Sequence, residues 1–438
     1  MIKRPLVVIA ATLLCLSACA GSYSDRLAGS YGSAYGRGSE ALRAKDFEAA
    51  AEQYGFAAGS GHPKALIAYG RLFASGQGVE RDPARAAALF EEAYQKSSSF
   101  KSRAAYELGL LLMEGGDGLE ADQARARELM AEALDGGEIR AASTLGRIYQ
   151  KGQGVEPDPG QAIVYYREAA PTNAYAARDL ALLLAETGAA EAEIAEATEL
   201  AVGQFEARAE AGDDGSWIQL ARIFSSDEIV DRDSDRVMRY LENVDASGDP
   251  RLQINLARIY EQIGARQEQN RMLRLAADAG DVRAQTRLAR IYLQSRSPDA
   301  NGAVGRYYAE RAIGQGSESA MFYLGLAMLR GDVVDRAPLL AETLLRRARE
   351  KGHLGAGAAL GTAILNGELP DRTPGEGEAL LQEAAEQGSA DAMRILGFAY
   401  LEGENVEGDE GRALDWLERA AEAGDRRARD FLAEREGV

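Results

Sequence analysis

Residues able to do covalent or metal chemistry are scarce in this 438-residue chain. Its two cysteines, Cys15 and Cys19, both fall within the first twenty residues. The body of the chain therefore has neither a disulfide nor a thiolate metal site. His62 and His353 are the only histidines, too few for a histidine-rich metal centre. His62 precedes Pro63 and His353 follows Lys351-Gly352, with no nucleophile beside either, and both are expected to be solvated. Asp231, Asp233, Asp235 and Glu242 have the alternating acidic spacing of a calcium loop, but Arg236 stands where such a loop needs its turn glycine. Aligning Val230–Leu241 with Val79–Phe90 puts Asp233 on Asp82, where a carboxylate that starts a helix accounts for it. No Ser/His/Asp, Cys/His or phosphate-loop constellation is visible. No catalytic residue, metal or cofactor is expected.

One polar pattern does recur. Lys64 and Arg71, Arg140 and Arg147, Arg251 and Arg258, and Arg283 and Arg290 are pairs of cations seven residues apart. Arg103 and Arg222 each fill one position of such a pair. Seven residues is almost two helical turns, so each pair shares a face. The net charge of −19 argues against duplex nucleic acid as a ligand, because that binding runs on clustered cations. Aligned arginines on so acidic a chain suit a carboxylate-bearing partner, which their planar fork can grip bidentately. The competing expectation is that they pair with glutamates of neighbouring helices.

The elements that must carry these cations are legible as a repeat. Gly70, Gly109, Gly146, Ala181, Ala221, Ala257, Ala289, Gly325, Gly361 and Gly397 recur at a mean interval of 36.3 residues over nine intervals. Each follows Leu or Tyr and precedes, by three places, an aliphatic or aromatic residue. A fixed period in the range of roughly 20–50 residues marks stacked supersecondary units that share one elongated core. The flanking large residues lie four apart, on one helix face, and are expected to be core. A Gly/Asp/Pro-rich loop follows, as in Gly76–Pro83 and Gly152–Pro159, where Asp82-Pro83 and Asp158-Pro159 read as an N-cap followed by proline at the first helical position. A second helix then runs to glycines such as Gly280, Gly388 and Gly424, which stop it in the left-handed conformation. The pattern is degraded over 174–264.

The start of the chain reads as an export signal. Lys3 and Arg4 precede an apolar run, Leu6–Leu16, too short to span a membrane, which takes about 20 residues. Leu16-Ser17-Ala18-Cys19 resembles the lipobox of bacterial lipoproteins, which implies cleavage before Cys19 and acylation of that residue. Ala20, in place of Asp, implies sorting to the outer membrane. The expected organisation is a signal peptide over 1–18, lipidated Cys19 with a flexible Gly/Ser/Tyr-rich tether over 19–38, repeats over 39–424 and a capping helix over 425–438. The later part of the tether could instead open the first helix.

The repeat consensus, best kept at Ala65–Glu80, Ala141–Glu156 and Ala392–Glu407, resembles the Sel1-like subfamily of tetratricopeptide repeats. That resemblance implies an all-α, right-handed superhelical solenoid of about ten to eleven helix hairpins. It also implies that Lys64, Arg71, Arg103, Arg140, Arg147, Arg222, Arg251, Arg258, Arg283 and Arg290 point into a concave groove. Lipobox, tether and repeats together resemble the Sel1-like lipoproteins of alginate secretion. A non-enzymatic scaffold at the periplasmic face of the outer membrane is then expected, with an exopolysaccharide porin and periplasmic modification enzymes as partners. The alternatives are an envelope adaptor for peptidoglycan, division or signalling proteins, and direct binding of an anionic polysaccharide by the arginines.

Overall fold

The computed structural model describes residues 32–436. The leader, Cys19 with its lipobox, and most of the tether lie outside the described residues. Residues 32–43 are helical, so the later part of the segment read as tether opens the first helix. The architecture is all-α, a solenoid of helix hairpins, and among the described residues the sole β feature is an isolated bridge between Gly116 and Leu119.

Two compact units divide the chain, one ending at Asp231 and the other beginning at Arg232. In the first unit the hairpins are 32–43 with Phe47–Ala58, Pro63–Ser75 with Pro83–Lys96, Lys101–Glu114 with Gln123–Asp135, Arg140–Lys151 with Pro159–Ala169, and Ala174–Glu186 with Glu191–Glu210. The helix Asp214–Ser225 closes that unit. The second unit opens with Ser234–Leu241. It continues with Pro250–Gln262 and Arg266–Asp278, Val282–Leu293 and Gly302–Gly314, Glu318–Arg330 and Pro338–Glu350, Leu354–Leu365 and Pro374–Glu386, and Ala390–Glu402 and Glu410–Glu422. The helix Arg426–Glu436 covers its end, where Phe431 meets Phe398 at 5.3 Å between ring centroids.

Local chemistry fixes these boundaries. Asp82 and Asp158 accept from the amides of Arg85 and Gln161 at 2.9 and 3.0 Å, and Pro83 and Pro159 follow at the first helical position. Asp233 does the same for Arg236 at 2.8 Å, so the alternating acidic stretch is a helix start. Gly76 and Gly152 end first helices with φ of 72° and 67°, a left-handed conformation that side chains with a Cβ rarely adopt.

All ten anchors lie on the first helix of their repeat and are buried. Of the large residues beside them, only Tyr69 and Tyr149 are partly exposed. The packing partner of each anchor was not foreseen. A Cβ built on Gly70, Gly146, Gly361 or Gly397 would come within 2.5–2.8 Å of Phe90, Tyr166, Leu381 or Leu417, each twenty residues further on. Gly325 faces Leu345 in the same way, and Gly109 faces Met130, twenty-one residues on. Where the anchor is Ala181, Ala257 or Ala289, the residue twenty places on is itself small and buried: Ala201, Ala277 or Ala309. At nine of the ten anchors glycine is thus paired with a large neighbour and alanine with alanine, which holds the volume between helices near the close packing of an interior; Ala221 departs, with Leu241 twenty places on.

Candidate binding face and cleft

The cations singled out by spacing sit on first helices. In the first unit most of them are engaged. Arg71 donates to Glu107, and Arg140 approaches the same carboxylate at 3.8 Å while bonding Glu138 at 2.6 Å. Its guanidinium lies 4.5 Å above the Tyr106 ring. The hydrogen bond from Arg140 holds the Glu138 carboxyl below the usual carboxylate range against the opposing effect of burial, with the nearby charge of Arg103 helping. Lys64 rests over Phe100 at 5.4 Å. Arg147 is exposed and has no ion pair among the described residues, while Arg222 is partly buried. For Arg71 and Arg140 the pairing with acidic residues of neighbouring turns and helices is what the structure shows.

The second unit differs. Arg251, Arg258 and Arg290 have no ion pair among the described residues, and only Arg283 is held, by Asp281 at 3.0 Å within its own turn. Arg283 and Arg290 line an open cleft of 590 Å³ between the helices Val282–Leu293 and Glu318–Arg330. Thr286 and Arg287 complete one wall, and Gln315, Ser317, Glu318 and Tyr323 form the other. The hydroxyls of Thr286 and Ser317 meet at 2.9 Å, and Gln315 donates to Gln285 at 2.8 Å, so the two walls are tied to each other. Arg287 donates through Nη2 to Glu261, but its Nε–H is buried without an acceptor. Leaving such a group unmatched costs about 1–3 kcal/mol. Arg287 and Tyr323 fall outside the seven-residue cation spacing, so that spacing does not point to them. The signal was present: Arg283, Arg287 and Arg290 follow one another at four and three residues, a continuous helix face.

The histidines are not solvated as expected. His62 Nδ1 accepts from the amide of Ala65 at 3.3 Å, and its ring stacks on Tyr35 at 5.4 Å. His353 stacks on Phe322 at 4.3 Å, with Nδ1 buried and unpaired. Burial lowers the pKa of both, assisted at His62 by the Lys64 charge and opposed at His353 by Glu318. The turns that carry them are covered by aromatic residues of the preceding first helix, a packing that linear sequence does not display. Among the described residues no group of acidic, histidine or cysteine side chains could hold a metal ion.

With this geometry in place, the comparisons with known proteins bear on the repeats directly. The Sel1 repeat profile matches residues 63–98, 102–138, 139–170, 282–317, 318–353, 358–389 and 390–425, more than half of the chain. The chain belongs to the Sel1 repeat family. The stretch between 170 and 282 falls outside those matches, yet it continues as helices of the same kind. This Sel1 repeat chain is similar to the solved structure of c5321, a protective antigen of uropathogenic Escherichia coli strains with an SLR fold. The identity is 25%, covering 88% of this chain and 82% of that one, with a TM-score of 0.47. A Sel1 repeat protein from Oxalobacter formigenes is 23% identical over 79% of this chain and 89% of its own, with a TM-score of 0.43. Yeast Tom70 is 13% identical over 92% and 94%, with a TM-score of 0.40. No curated protein matches.

Proposed function

We propose that this Sel1 repeat chain is a scaffold that holds protein partners along its first helices, without catalysing a reaction. The observation that carries the reading is Arg251, Arg258 and Arg290, without ion pairs among the described residues, with Arg290 lining an open, prearranged cleft. Stacked repeats present extended surfaces of this kind, and binding on them needs no reactive group. The sequence before residue 32 supports attachment through acylated Cys19 to the periplasmic face of the outer membrane, since several acyl chains anchor where one does not. Within that setting, the best-supported assembly is an exopolysaccharide secretion complex of the alginate type, in which the scaffold joins an outer-membrane porin to periplasmic modification enzymes.

The test is crosslinking and pull-down from envelope membranes with Cys19 intact and with Cys19→Ser. The expected result is recovery of a porin and polymer-modifying enzymes with the anchored chain, and their depletion with Cys19→Ser. Recovery of peptidoglycan, division or signalling proteins alone would replace the secretion assignment while leaving the scaffold role.

A further inference from the structure

The cleft between Val282–Leu293 and Glu318–Arg330 combines three features. Three arginines, Arg283, Arg287 and Arg290, line this one cavity. Two of them are already turned by carboxylates at the rim, Asp281 and Glu261, which orients their guanidinium planes; Arg290 is left with no ion pair among the described residues. Its far wall is an aromatic ring, Tyr323, braced edge-on by Phe322 at 5.4 Å. Cation and ring line one open space of 590 Å³, the scale of a short segment and not of a folded domain.

Resting on the scaffold reading, we propose that this cleft receives a short acidic segment of a protein partner. One carboxylate is taken by Arg290 with Arg283, and the adjoining side chain lies against Tyr323. The arginine fork suits a carboxylate in plane, which favours Asp and Glu over a spherical anion. Glu318 in the opposite wall repels a uniformly acidic stretch, so the register that fits sets one carboxylate towards Arg290 and the next side chain towards the ring. Arg251 and Arg258, seven residues apart on the preceding first helix and without ion pairs among the described residues, add cations at the equivalent repeat positions. In the first unit Arg71 and Arg140 cannot offer the same site, because Glu107 already occupies them.

The experiment is fluorescence anisotropy on the full chain with two labelled probes, a hexapeptide alternating glutamate and leucine and its glutamine counterpart. The glutamate probe is expected to bind, the glutamine probe about 10-fold or more weakly, and binding to weaken as salt rises. Arg290→Glu is expected to lower affinity for the glutamate probe about 10-fold or more, and Arg290→Ala by a smaller factor. Arg306→Ala, an exposed arginine of the helix Gly302–Gly314, is expected to change nothing. Unaltered far-ultraviolet dichroism and melting of the Arg290 variants keep the comparison clean, since Arg290 makes no ion pair among the described residues. Equal binding of both probes, indifference to Arg290→Glu, or binding of an oligouronate in place of the peptide overturns the proposal. If envelope partners are still captured after such a result, the scaffold role stands and only this cleft assignment falls.

Discussion

At the scale of single residues, the fit between anchor and partner decides more than the anchor's identity. Gly146→Ala would drive a Cβ to 2.6 Å from the Tyr166 ring, which is fully buried and has no room to turn. Overpacking of this kind costs about 1–3 kcal/mol, against a gain of up to about 1 kcal/mol from replacing glycine inside a helix. A net loss of about 1–2 kcal/mol is expected from urea unfolding. Gly109→Ala meets the flexible end of Met130 first, at 2.9 Å, and is expected to lose less. The two histidines give a second residue-scale prediction. Their folded pKa values lie below the ordinary one near 6.5, so below that pH the unfolded chain takes up protons that the folded chain resists. Stability present above pH ~6.5 is therefore lost as pH falls towards the folded values. A His62→Gln/His353→Gln variant is expected to show a flatter fall in melting temperature between about pH 7 and 5.5.

At the scale of elements, the sequence announced the first helices well and their surroundings poorly. The anchor rows, the Asp-Pro helix starts and the glycine stops are local, carried by residues within one or two turns, and the structure places them where the spacing put them. The surfaces between helices depend on residues thirty or more positions apart. The pairing of Arg71 with Glu107, the stacking of His353 on Phe322 and the meeting of Thr286 with Ser317 all join residues more than thirty positions apart. Spacing within a helix could not reveal them, which is why the cations were legible and their partners were not. The degraded middle keeps its helices for the same local reason, although its loops lose the consensus: Asn173, Asp233, Asp249 and Asp281 still cap helix starts. Asp82→Ala is expected to lose about 1 kcal/mol. Hydrogen exchange should quicken first in the opening turn of Pro83–Lys96.

At the scale of the whole molecule, each repeat rests mainly on its neighbours, so strain should spread a short way and stop. Gly146→Ala is expected to raise amide exchange in the helices from Lys101 to Glu186 and to leave Ala390–Glu402 and Glu410–Glu422 unchanged, as mass spectrometry of exchanged peptides would read. An effect of equal size at both places would show instead that the chain unfolds as a single cooperative body. A charge of −19 adds a general repulsion that salt screens, so moderate salt should stabilise the fold while weakening carboxylate binding at Arg290. The two opposite responses separate folding from binding in one titration.

The volume match between Gly146 and Tyr166, or between Ala289 and Ala309, has a consequence for how such a chain can grow. Both members of each match lie twenty residues apart within one hairpin. A duplication event that copies a single hairpin copies lock and key together, so the newcomer arrives already fitted to itself. Only its outer surfaces must be reconciled with the neighbours on either side. Lineages could therefore lengthen or shorten the array freely while the inter-repeat surfaces, where the cleft lies, diverge to meet different partners.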